Sequence, residues 1–179
     1  MNELNEIISA FAIEGDVAEI EPLGNGLIND TYKVTTTGAT HDYVLQRVNN
    51  AIFKDVDLLQ HNIEAVTGHI RKKLEAAGEQ DIDRKVLKFI PVKETGKTYL
   101  EKDGKFSRIS VFIPHGFTYE TVNPEYSYYA GKAFGNFEAM LADLDEELGE
   151  TIPDFHNMEL RMSQLIEAVN NDNFCRIDA

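Results

Sequence analysis

Gly24-Asn25-Gly26-Leu27-Ile28-Asn29-Asp30, running on into Thr31-Tyr32-Lys33-Val34, is the stretch on which the fold of this chain turns. Two glycines separated by one residue lie between two short apolar segments of strand character. Such a turn lets backbone come close to a ligand and presents N–H groups to it, and phosphate is the usual ligand. The same residues also make an ordinary hairpin turn, because Asn-Gly is a strong hairpin signal in its own right. The segments on either side carry the reading further.

Upstream, Val17 to Leu23 is a strand candidate, preceded by Leu4, Ile7, Ile8 and Phe11 at helical spacing over residues 3–12. Downstream, Thr31–Thr36 is rich in β-branched residues and Tyr43–Val48 reads as a third strand, which gives an antiparallel meander. The period then changes. Val56, Leu59, Ile63, Val66, Ile70 and Leu74 form a helical stripe over 55–77, with Asp55 placed as N-cap and Gly78 as the stop. A second β region is expected at Val86–Val92, Lys97–Glu101 and Phe106–Ile113, with turns at Glu94-Thr95-Gly96 and Lys102-Asp103-Gly104. From Asn123-Pro124 onward the chain is helical, with apolar stripes over 124–148 and 157–170. Strands segregate from helices. The expected class is α+β, with two subdomains meeting near residues 112–118.

The composition bounds the chemistry. The chain has 179 residues, 42% of them apolar, which suits a globular protein with a core. It contains no apolar run of membrane-spanning length, and its acidic start is not that of a signal peptide. Its single cysteine, Cys175, excludes an internal disulfide framework and is expected to be inert; a reducing cytoplasm is the default compartment. A net charge of −14 argues against nucleic acid as the main partner, though not against a nucleotide held by loop amides, one or two cations and Mg2+. The histidines at 41, 61, 69, 115 and 156 show no zinc-binding spacing, and the Asp-x-Asp pairs at 55, 81 and 143 read as solvated carboxylates.

Five strands with a helix between the third and fourth, led by a glycine turn, is the order of a protein-kinase-like small lobe. The blocks Gly24-Asn25-Gly26-Leu27-Ile28-Asn29-Asp30-Thr31-Tyr32, Tyr43-Val44-Leu45-Gln46-Arg47-Val48-Asn49 and Glu150-Thr151-Ile152-Pro153-Asp154-Phe155-His156 together resemble the aminoglycoside phosphotransferase and choline kinase superfamily. Within it they look most like bacterial N-acetylhexosamine 1-kinases. The resemblance implies a kinase-like N-terminal lobe over 1–113, then a hinge and the start of a helical C-terminal lobe over 114–179. It implies ATP with Mg2+ as cofactors and a small sugar as substrate; an aminoglycoside, choline or homoserine are the alternatives. Gly24, Asn25, Gly26 and Asn29 would lie over the nucleotide phosphates. On the third strand either Gln46 or Arg47 would take the place of the phosphate-gripping lysine of protein kinases; strand parity permits only one of them on a given face. His61 or Glu64 on the following helix would be its partner. Val111, Phe112 and Ile113 would form the hinge, whose backbone reads the adenine edge. His156 and Arg161 would lie near the sugar.

Two parts that phosphoryl transfer requires do not occur in the sequence: a catalytic loop of the form H-x-D-x-x-x-x-N and a later Mg2+-binding aspartate. The chain is therefore expected to be the nucleotide-binding part of a larger enzyme, or else a non-catalytic interaction or regulatory domain that keeps the small-lobe fold. In either case the stripes over 124–170 would expose apolar surface, so a homodimer or other oligomer through these helices, or a rearrangement of the helices that covers it, is expected.

Overall fold

The computed structural model describes residues 3–24, 26–39, 41–117, 119 and 121–171. In chain order it contains helix α1 (Glu3–Ser9), strands β1 (Asp16–Pro22), β2 (Asp30–Thr37) and β3 (Tyr43–Val48), helix α2 (Val56–Ala76), strands β4 (Leu100–Lys102) and β5 (Lys105–Val111), and helices α3 (Pro124–Leu141) and α4 (Met158–Asn171). The five strands make one antiparallel sheet in the order β1-β2-β3-β5-β4. The protein is α+β, a five-stranded antiparallel sheet followed by helices, as expected of a kinase-like small lobe and the first helices after it.

The sheet is covered on both faces, and parity decides which residue goes where. Val34, Tyr43, Leu45, Ile109 and Val111 point to one face, where they are buried with Ile7, Ile8 and Phe11 at and just beyond α1. Val48 and Phe106 point to the other, against Val56, Leu59 and Ile63 of α2. The Tyr43 hydroxyl accepts the Glu14 N–H at 3.0 Å, which ties the segment after α1 to β3.

Local chemistry sets the helix starts. The Asp55 side chain accepts the Leu58 N–H at 2.8 Å, and Asn123 accepts the Tyr126 N–H at 2.8 Å with Pro124 in the first turn. The β4–β5 turn places Asp103 and Gly104 at φ +53° and +71°, the tight hairpin geometry that an Asp-Gly pair favours.

The segment 86–92 differs from expectation. It is not a regular strand but an extended piece joined to its neighbours by isolated bridges, Phe89 to Ser110 and Val92 to Phe11. Ile90 N–H donates to the Ile109 carbonyl at 2.8 Å and Val111 N–H to the Lys88 carbonyl at 2.9 Å. The next N–H on that side, that of Val92, donates to the Lys97 carbonyl at 2.8 Å instead, and the pairing with β5 ends there.

The chain divides into two compact units, Met1–Gly149 and Glu150–Ala179. The division falls later than 113/114 because α3 and the residues after it remain with α2. Lys73 Nζ donates to the Met140 carbonyl at 2.9 Å, and Asn62 bonds both the N–H and the carbonyl of Gly149, at 3.1 and 2.7 Å. In the second unit, Asn157 accepts the Leu160 N–H at 3.0 Å at the start of α4. Among the described residues no helix is long and apolar enough to cross a membrane.

Candidate functional site

Residues 23–29 join β1 to β2, and their geometry depends on glycine. Gly24 adopts φ +71°, where a side chain is strained. A Cβ on Gly26 would stand 2.8 Å from the Asn29 carbonyl oxygen, so the backbone folds closely onto itself there. Leu23 N–H donates to the Thr31 carbonyl at 2.9 Å and closes the base of the hairpin. Asn29 Oδ1 accepts the Asn49 N–H at 3.0 Å, which fastens the loop to the end of β3. Leu27 is 99% exposed, so the tip stands in solvent. Asn25 lies outside the described residues.

Strand register separates Gln46 from Arg47. Arg47 has the parity of Tyr43 and Leu45 and turns to the α1 face, where its Nη2 meets Glu3 Oε1 at 2.9 Å. The Arg47 guanidinium holds the Glu3 carboxyl below its ordinary value, and Arg47 Nε is buried without a partner among the described residues. Gln46 turns to the opposite face, the one α2 covers. Its neighbours in register are Thr31 on β2 and Arg108 on β5, so one row crosses three strands just inside the glycine loop.

This row is joined by hydrogen bonds. Gln46 Nε2 donates to Thr31 Oγ1 at 3.3 Å. Arg108 Nε and Nη2 donate to Gln46 Oε1 at 3.1 and 3.0 Å, and its Nη1 donates to Gln60 Oε1 at 2.9 Å. Gln60, on α2, is buried, and its Nε2 donates to Thr98 Oγ1 at 2.7 Å; Thr98 in turn donates to Glu64. The Arg108 guanidinium lies 5.4 Å from the centre of the Phe89 ring. Burial pushes the Arg108 pKa below its ordinary value, yet an arginine stays charged under any ordinary condition. Among the described residues none of its hydrogen bonds goes to a carboxylate. The neighbouring cation on this face, Lys33, is partnered: it lies 3.5 Å from Asp42 Oδ2 and 5.1 Å from the centre of the Phe112 ring.

Of the two α2 candidates, Glu64 reaches this network through Thr98. His61 does not; its Nε2 lies 3.4 Å from the Glu147 carbonyl and 3.7 Å from the Glu146 carboxylate. At the end of β5, Val111 is buried in the α1-side core, and its N–H is taken by Lys88. The Phe112 N–H donates to the Asp42 carbonyl at 2.8 Å. Among the three hinge residues only Ile113 keeps an N–H without a backbone acceptor among the described residues. A cavity of about 480 Å³, lined by His41, Asp81, Arg84, Phe112 and Pro114 among others, lies beside this segment, and neither Gln46 nor Arg108 lines it.

In the second unit, His156 packs edge-to-face on Phe155 at 4.7 Å. Arg161 donates to the Asp154 carbonyl at 3.1 Å and to Gln164 Oε1 at 3.0 Å. Both side chains make local contacts that hold the start of α4. Cys175 lies outside the described residues. Among the described residues no group of three or more His, Cys, Asp or Glu side chains is gathered to hold a metal ion.

Arg108 and Gln60 were not singled out by sequence reasoning. The available signal was a lone arginine amid Phe106, Ile109 and Val111, in a strand whose alternate positions must be buried. Its meaning depends on the β3–β5 register, which the sequence does not display. No protein-family model matches the chain.

Proposed function

We propose that this chain is the nucleotide-binding part of an ATP-dependent phosphotransferase of the aminoglycoside phosphotransferase and choline kinase type, acting on an N-acetylhexosamine at its anomeric hydroxyl. The observation that carries the reading is the row Thr31-Gln46-Arg108 lying in register beside the glycine loop. A loop free of side chains at Gly24 and Gly26, with a cation on the sheet beside it, fits a polyphosphate better than it fits a plain hairpin. Bound there, ATP would supply the phosphoryl group. This chain's own contribution would be to hold the phosphates through loop amides and Arg108 and to offer the base the Ile113 N–H, the one hinge N–H without a backbone acceptor among the described residues. The base and the Mg2+ ligands that such a transfer needs would lie outside these 179 residues. An aminoglycoside, choline or homoserine would leave this half of the site unchanged.

A second reading is a non-catalytic interaction domain with the same fold. It is favoured by the exposed apolar side chains of α3 and α4, and it requires no nucleotide. Calorimetric titration of the chain with ADP and with adenosine separates the two. Saturable heat with either ligand supports the nucleotide site, while no heat with either at millimolar concentration favours the interaction domain.

A further inference from the structure

We propose that Arg108, on β5, is the cation that grips the nucleotide phosphates, in the place where a cation on β3 would be looked for. This rests on the phosphotransferase reading above. Three features of the side chain point the same way. First, its charge is uncompensated among the described residues. Arg47 is ion-paired with Glu3 and Arg71 with Asp83; Arg84 and Arg161, which have no carboxylate partner among the described residues, are exposed; Arg108 is half-buried and among the described residues donates only to the amide oxygens of Gln46 and Gln60. A half-buried charge without a counter-ion is costly, and an anionic ligand is what relieves it. Secondly, the fork is oriented but not saturated. A guanidinium carries five N–H donors. The three hydrogen bonds leave one N–H on each terminal nitrogen, the pair that engages two oxygens of a phosphate.

Thirdly, the residues around it orient without neutralising. Gln46 occupies the β3 position at which the gripping lysine would be looked for, and Gln60, on α2, accepts from the same guanidinium. Both are amides, so the single positive charge of the row remains available. The Phe89 ring, its centre 5.4 Å away, also adjoins the guanidinium without neutralising it. Position matters as well: Arg108 lies in register with Gln46 and, through it, with Thr31, the second residue after the loop. With strands about 4.8 Å apart, β5 lies roughly 10 Å from β2. A long side chain pointing back along the row covers much of that span.

The test is calorimetric titration of the whole chain with ADP and with adenosine, in the wild type and in Arg108→Gln, Arg108→Lys and Gln60→Glu, with each fold checked by circular dichroism. Wild type is expected to bind ADP more tightly than adenosine. Arg108→Gln should lose about tenfold or more toward ADP and nothing toward adenosine, as expected for hydrogen bonds to a charged group. Arg108→Lys should fall between. Gln60→Glu gives the arginine a counter-ion without removing it, so ADP should weaken in a variant that circular dichroism shows to be folded. Should Arg108→Gln fail to fold, Gln60→Glu decides the matter. Unchanged ADP affinity in a folded variant, or equal losses for ADP and adenosine, overturns the role of Arg108. Equal wild-type affinities for ADP and adenosine also overturn it while leaving the nucleotide reading intact; binding of neither ligand overturns both.

Discussion

At Gly24 a side chain would meet no neighbouring atom, so the cost of adding one there is purely conformational. Gly24→Ala is expected to destabilise the chain by about 1 kcal/mol, the penalty of holding an L-residue at positive φ, measured by chemical denaturation. Gly26→Ala adds a steric term, because its Cβ would displace the Asn29 carbonyl. It should therefore weaken ADP binding more than Gly24→Ala does; equal binding by both variants would mean that the loop does not approach the ligand. The choice between Gln46 and Arg47 shows why single residues were hard to place from sequence. A one-residue slip exchanges the two faces of a strand. Tyr43-Val44-Leu45-Gln46-Arg47-Val48 is apolar at positions of both parities, since both faces of the sheet are covered by helices. Only the pairing of Leu45 with Tyr32 and Ile109 fixes which side chain meets α2.

At the scale of elements, what was legible is what is locally encoded. The starts of α2 and α3 follow from Asp55 and from Asn123-Pro124, and the β4–β5 hairpin from Asp103-Gly104. The segment 86–92 was not legible as it stands. Its apolar residues have strand character, but its pairing depends on β5 on one side and on Phe11, just beyond α1, on the other, and the Val92 N–H turns to the Lys97 carbonyl instead of β5. What positions its start is an ion-pair cluster. Asp83, in the short 3-10 turn Ile82–Arg84, lies 2.7 Å from Arg71 Nη2 on α2 and 3.2 Å from Lys88 Nζ. Burial raises the Asp83 pKa, but the hydrogen bonds from Arg71 and Lys88 outweigh it and leave the pKa below the ordinary value. A carboxylate depressed in the folded state contributes stability at pH values above its unfolded pKa, and that contribution is lost as pH falls through the folded value. Asp83→Asn should thus be less stable than wild type near neutrality by up to about 1 kcal/mol, with the gap closing below about pH 4. A gap that stays constant from pH 7 to pH 3 would show that the pair contributes by packing alone.

Over the whole molecule, charge and apolar exposure act against each other. A net charge of −14 makes copies of the chain repel. Yet neither α3 nor α4 buries a single residue, and each exposes large apolar side chains: Phe134 at 69% and Phe137 at 44% on α3, Met158 at 75% and Leu165 at 58% on α4. Exposed apolar faces of this kind mark association surfaces, and in a purified sample a second copy is the partner at hand to cover them. The chain is therefore expected to self-associate in sedimentation velocity as its concentration rises. Because apolar burial drives the association and like charge opposes it, raising the salt concentration should strengthen it by screening the repulsion. Were ion pairs holding the copies together, salt would do the opposite. Phe134→Glu with Phe137→Glu should shift the equilibrium toward monomer without lowering the melting temperature, since neither ring is buried in the single chain. A wild-type chain that sediments as a monomer at several hundred micromolar in high salt would sink this prediction.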